Sequence, residues 1–201
     1  MILLEILIAK ILVAAALTFA GSLWIDKLYS NCSELTFPDE VSRRARFRKP
    51  ILFISLSFFA LFDDLWILAA IFLLLLMTIT DFEQYMLFDA MTLPLALIGA
   101  FYVWQMNLNF LEHAVAALVG GGIFLLLAII SKGSLGGGDV KLITALGMWL
   151  GAEKLLHVVI IGSILGGFMA VFMILAKKKD RKSYFAYGPY FALSAIYFLL
   201  S

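Results

Sequence analysis

Apolar runs of bilayer length recur from one end of this chain to the other and leave room for little else. A helix crossing roughly 30 Å of hydrocarbon needs about 20 apolar residues, within a range of about 17–25. Residues 2–24 and 155–176 meet that requirement plainly, and 91–106, 112–130 and 185–200 also qualify. With 64% hydrophobic and only 14% charged residues, the sequence reads as an all-α polytopic membrane protein rather than a soluble domain. Residues 140–150 are short, and a helix there is expected to begin within the preceding glycine run and tuck into the protein.

Charge placement orders these spans. Of 15 Lys and Arg, six lie between Lys27 and Lys49, five lie in the 177–182 cluster, and Lys132 and Lys141 flank the glycine run. The positive-inside rule places all of them in the cytoplasm. Residues 50–80, interrupted by Asp63 and Asp64, form either one kinked span or two joined by a tight turn. Only two spans keep every basic group on one side. Because 51–62 would measure only about 18 Å as a helix, its start is expected at Pro38-Asp39-Glu40, with acids in the first turn and Pro50 as a kink. The expectation is about eight transmembrane helices in a single membrane domain, 1–201, with the N-terminus outside. The basic cytoplasmic loop at 26–49 is expected to order only against the membrane or a partner.

The first span carries Glu5 and Lys10 and lacks a basic leading region, so it is expected to remain uncleaved. One cysteine, Cys32, excludes an internal disulfide and a Cys-only zinc site within one chain.

Carboxylates near hydrocarbon are costly and are functional hypotheses by default. Asp139 closes the run Gly136-Gly137-Gly138 at the mouth of one apolar span, and Asp81 ends another at the same predicted face. Three consecutive glycines disfavour helix but permit close backbone approach and positive φ. Irregular backbone at membrane depth persists only where protein buries it or a wet cavity adjoins it. Asp139 therefore has two readings, a group beside such a cavity or a cap on the following helix. Asp81 has its own plain alternative, a hydrated helix end. If both approach one water, they cannot both ionise. The ionised member then acts as general base and the protonated one donates to a substrate carbonyl.

Other acids and glycines have plainer readings. Asp63-Asp64 marks a turn on the opposite face, and Asp89 caps the helix entering at Met91. His113 and His157 read as interfacial residues beside Glu112 and Glu153. Gly120-Gly121-Gly122 reads as helix packing. No P-loop, Rossmann fingerprint or Ser-His-Asp arrangement occurs, and no nucleic-acid partner is expected.

At these residues the chain resembles the type IV prepilin peptidases and their archaeal preflagellin relatives, membrane aspartic peptidases with a Gly-x-Gly-Asp motif. Gly136-Gly137-Gly138-Asp139-Val140-Lys141-Leu142 is similar to that motif and its continuation, and Gly147-Met148-Trp149-Leu150-Gly151 follows as in the family. Thr80-Asp81-Phe82, then Leu87-Phe88-Asp89-Ala90-Met91-Thr92-Leu93-Pro94, resembles the segment bearing the first catalytic aspartate. Tyr187-Gly188-Pro189-Tyr190 is similar to the family's Phe-Gly-Pro-Phe, and Gly21-Ser22 also fits. The resemblance covers nearly the whole chain.

The resemblance implies an aspartic endopeptidase of the cytoplasmic (inner) membrane, with Asp81 and Asp139 catalytic at the cytoplasmic face. Gly136, Gly137, Gly138, Lys141, Gly188 and Pro189 would shape its site. The implied partners are membrane lipid and type IV prepilin or pseudopilin precursors, which carry a basic leader and a Gly before the scissile bond. Glu83 and Asp89 would supply acidic surroundings for that leader. Proteolysis needs no cofactor. Many bacterial members also methylate the new N-terminus with S-adenosylmethionine and carry two Cys-x-x-Cys pairs that bind zinc. Here the corresponding loop holds Cys32 alone, so no zinc is expected and methyltransferase activity does not carry over residue by residue. The rival class is a small proton- or ion-coupled transporter using intramembrane aspartates, although no internal repeat supports it.

Overall fold

The computed structural model describes residues 2–60, 64–131, 135–176 and 185–201. Asp63, Lys132 and the 177–182 basic cluster lie outside the described residues. Among the described residues all regular structure is helical, and four helices are long and apolar enough to cross a membrane. Backbone contacts divide the chain into two compact units, Met1–Met86 and Leu87–Ser201.

In the first unit, α1 (Ile2–Asn31) packs against α3 (Arg48–Phe59), and α4 (Leu65–Gln84) adjoins both. Asp64 starts α4: its Oδ1 accepts from the backbone N–H groups of Trp66 (2.8 Å) and Ile67 (3.1 Å). The residue read as a turn marker is thus an N-cap that satisfies two donors the helix cannot.

The 26–49 segment departs from expectation. A 3-10 turn at Pro38–Glu40, a single turn α2 (Val41–Arg44) and a second 3-10 turn at Ala45–Phe47 lead into α3. The helix proper starts at Arg48 rather than at Pro38, and Pro50 falls in its first turn. There the missing N–H costs nothing, because first-turn donors have no intrahelical partner. The segment also orders against its own chain. Gln84 Oε1 accepts from the backbone N–H of Phe37 (2.8 Å), and Gln84 Nε2 donates to the Phe37 carbonyl (3.2 Å). Arg44 lies 3.6 Å over the Phe37 ring. The basic loop was expected to order only against the membrane or a partner, whereas the end of α4 supplies Arg44 with carbonyls and Arg48 with a carboxylate.

In the second unit, α7 (Gly137–Leu175) packs against α6 (Phe110–Ile130), α5 (Asp89–Gln105) and α8 (Gly188–Leu200). Asn109 caps α6, its Oδ1 accepting from the Glu112 N–H at 3.3 Å. α7 is two helical stretches, 137–150 and 152–175, broken at Gly151, whose φ of 69° and ψ of −176° only glycine adopts readily. Two side chains from the start of α6 stabilise the break. Glu112 Oε1 accepts from the freed Ala152 N–H at 3.1 Å, and the His113 ring, through Nδ1, donates to the Met148 carbonyl at 3.1 Å. His113 is buried, with its ring turned onto α7. His157 is exposed; its Nδ1 meets the carbonyl of Glu153 on its own helix at 2.8 Å, and its ring lies 5.6 Å from that of Phe198 in α8. Trp149, just before the break, ties α7 to α5: its Nε1 donates to the Leu95 carbonyl at 2.7 Å and its ring stacks on Tyr102. Gly120 and Gly121 face Leu155 and Thr144 of α7 too closely for a side chain, as the packing reading expected, whereas Gly122 faces open space.

Candidate active site

Asp81 lies in the last turn of α4 and is buried. Its carbonyl accepts from the Tyr85 N–H at 2.9 Å, and Tyr85 (φ 53°, ψ 40°) ends the helix in the left-handed conformation. Two residues on, Glu83 is also buried. Both of its oxygens are taken by Arg48, with Nε–Oε1 at 3.0 Å and Nη2–Oε2 at 2.6 Å, and Tyr29 OH donates to Oε2 at 3.0 Å. Arg48 Nη1 donates to Asp26 Oδ1 and to the Ser22 carbonyl. Glu83 is therefore engaged within its own unit.

Asp139 lies in the first turn of α7 and is buried, at 8% exposure. Gly136 is the N-cap, with φ −70° and ψ 143°, so Asp139 does not occupy the capping position. It is the third helical residue. Its N–H donates to the Gly136 carbonyl at 3.1 Å, and its carboxylate lies beside Gly136, where a Cβ would sit 3.4 Å from Oδ2. The positive dipole end of α7 suits a carboxylate there.

The glycine run works differently from expectation. None of its three members has positive φ, and Gly137 and Gly138 are already helical. Only Gly138 answers to close approach, since a Cβ there would sit 2.8 Å from Leu87 Cβ, whereas one on Gly137 would meet nothing.

Asp89 is the first residue of α5 rather than its cap, a place taken by Phe88 without a side-chain bond. Its carboxylate instead receives Lys141 Nζ at 2.5 Å, and both side chains are largely exposed. Gly188 and Pro189 open α8 and are buried; proline suits that first turn. The structure thus joins Lys141 to Asp89 and Glu83 to Arg48, while Asp81 belongs to the first unit and Asp139 to the second. Sequence reasoning missed Arg48 and the Glu112–Gly151 break. Nothing local marks Arg48 among the neighbouring arginines, while a glycine dividing one apolar run was the available signal for the break. No group of three or more His, Cys, Asp or Glu fit to hold a metal occurs among the described residues, and Cys32 stands alone.

The helices define a multi-pass membrane protein with buried acids at the ends of two of its longest apolar helices. The profile described as the Type IV leader peptidase family matches residues 67–171, just over half the chain and including both aspartates. The chain belongs to that family. Curated relatives named prepilin leader peptidase/N-methyltransferase are similar to it. That of Neisseria gonorrhoeae is 35% identical over 127 residues, covering 60% of this chain and 43% of the relative. That of Xanthomonas campestris pv. campestris is 32% identical over 123 residues, covering 57% and 42%. That of Escherichia coli K12 is 32% identical over 132 residues, covering 61% and 56%. The chain spans about half the length of the curated relatives it matches. No solved structure matches it significantly.

Proposed function

We propose that this protein is a membrane aspartic endopeptidase that removes the basic leader of type IV prepilin-like precursors at the cytoplasmic face of the inner membrane. One observation carries the reading: Asp81 and Asp139 are both buried at helix ends, and both fall inside the span matched by the leader peptidase family. In this reading 1–201 form one membrane domain in which the two aspartates share one proton and hold one water. The ionised carboxylate takes a proton as the water oxygen attacks the scissile carbonyl, and the protonated one donates to the carbonyl oxygen. The proton then passes to the leaving amine as the C–N bond breaks, releasing the leader acid and a new N-terminus.

The reading takes α1, α3, α4, α5, α6, α8 and both stretches of α7 as eight crossings, and the positive-inside rule supports an N-terminus outside with the basic segments inside. Asp89, exposed, is the acid proposed to meet the leader's basic residues, whereas both oxygens of Glu83 are taken up by Arg48 and Tyr29. Gly136, Gly137, Lys141, Gly188 and Pro189 shape the site, and Gly138 does so by admitting Leu87. Methylation of the product would require S-adenosylmethionine, and no residue of this chain is assigned to that methyl donor.

The test is mass spectrometry of a precursor incubated with the protein in membranes, with and without S-adenosylmethionine. Cleavage after the leader's glycine is the expected result, and a further gain of one methylene would add methylation. Absence of cleavage across several precursors, with proton-coupled uptake in liposomes, would replace the reading with the transporter.

A further inference from the structure

The Arg48–Glu83 ion pair is buried at the end of α4. Arg48 is 1% exposed at its side chain, and each of its three nitrogens has an acceptor: Glu83 Oε1, Glu83 Oε2, and Asp26 Oδ1 with the Ser22 carbonyl. Burying such a pair adds little stability compared with apolar residues of the same volume. What a planar fork on a carboxylate supplies is direction. The neighbouring residues are held too. Arg44 Nη1 donates to the Phe82 and Glu83 carbonyls at 3.4 and 3.2 Å, and Gln84 grips the backbone of Phe37. Residues 82, 83 and 84 are thus clamped to α1, α3 and the turns between them.

Resting on the reading of Asp81 as one of the two catalytic acids, we propose that Arg48 is its positioning residue. By gripping Glu83, Arg48 fixes the rotation of the last turn of α4 about its axis, and so the direction in which Asp81 leaves the helix. At 3.6 residues per turn, positions two apart project to nearly opposite sides. Holding Glu83 toward α1 and α3 therefore turns Asp81 away from them. Arg48 itself touches no reacting atom in this scheme.

The test uses the full-length protein in membranes with a precursor peptide, measuring kcat and KM separately beside thermal unfolding. Three variants are compared: Arg48→Lys, Arg48→Met, and Arg48→Met combined with Glu83→Gln. The combination removes both charges while leaving Tyr29 an acceptor. A misplacement of about 1 Å costs about a hundredfold in rate, so kcat of the double variant is expected to fall on that order. Its KM and unfolding temperature should stay near wild type. Arg48→Lys keeps the charge but loses the fork, and its kcat should lie between. A double variant with wild-type kcat, or one whose activity loss only tracks loss of folded protein, overturns the role of Arg48. An inactive wild-type protein instead overturns the peptidase reading on which this role rests, so the two failures are told apart in one experiment.

Discussion

Replacing Gly151 with alanine tests the break in α7 directly. The backbone there sits at φ 69° and ψ −176°, a region essentially closed to other residues, and occupying it costs on the order of 1–3 kcal/mol. The new Cβ would also lie 2.7 Å from Glu112 Oε1 and 3.4 Å from His113 Nε2. Glu112 must then move off the Ala152 N–H that it holds at 3.1 Å. Because Glu112 is about half exposed, water recovers part of that loss, leaving about 0.5–1.5 kcal/mol. Together the two effects predict a destabilisation of about 1.5–4.5 kcal/mol. Reversible unfolding in mixed detergent micelles, followed by circular dichroism, measures it. Gly167→Ala is the control, because a side chain there meets nothing within 4 Å and helix propensity alone should make it neutral or stabilising by up to about 1 kcal/mol. Adding Glu112→Ala to Gly151→Ala removes the clash, so the pair should cost less than the two single changes combined. A Gly151→Ala protein as stable as the Gly167→Ala control would refute the reasoning.

Further outcomes follow from single contacts. Gly147→Ala would place a Cβ 2.5 Å from Ala117 Cα and 2.6 Å from its nitrogen; α6 and α7 must part, at about 1–3 kcal/mol in the same unfolding assay. Trp149→Phe deletes the bond to the Leu95 carbonyl and should cost about 0.5–1.5 kcal/mol. The Lys141–Asp89 pair is exposed, so Lys141→Met and Asp89→Asn should each change stability by less than about 1 kcal/mol. They should separate in cleavage kinetics: Asp89→Asn raises KM for a basic leader, Lys141→Met lowers it by freeing Asp89, and added salt shrinks both effects.

Long apolar helices were legible in the sequence because burial in lipid needs only length and composition, and α1, α4 and α6 appear where those runs lie. The short helix after the glycine run was equally legible, though its separation from 152–175 rests on one glycine whose dihedrals no pattern encodes. What escaped was long-range and polar. Arg48 and Glu83 are 35 residues apart, and nothing local distinguishes that arginine from its exposed neighbours Arg43 and Arg46. The loop was expected to need a membrane or partner because its internal partners, Gln84 and Glu83, lie beyond an intervening helix. Asp89 illustrates a local ambiguity, since an acid at a helix start satisfies the same dipole as a cap or as a first-turn residue. The two aspartates stood out for a firmer reason. A carboxylate at the end of an apolar run is costly, whatever the topology.

The central claim is that Asp81 and Asp139 together activate one water. Its most direct test is the rate of leader cleavage by Asp81→Asn and by Asp139→Asn, each checked for membrane insertion and unfolding temperature against wild type. The account predicts that both variants fold and insert normally yet release no leader. Full processing by either, at a rate near wild type, would contradict it.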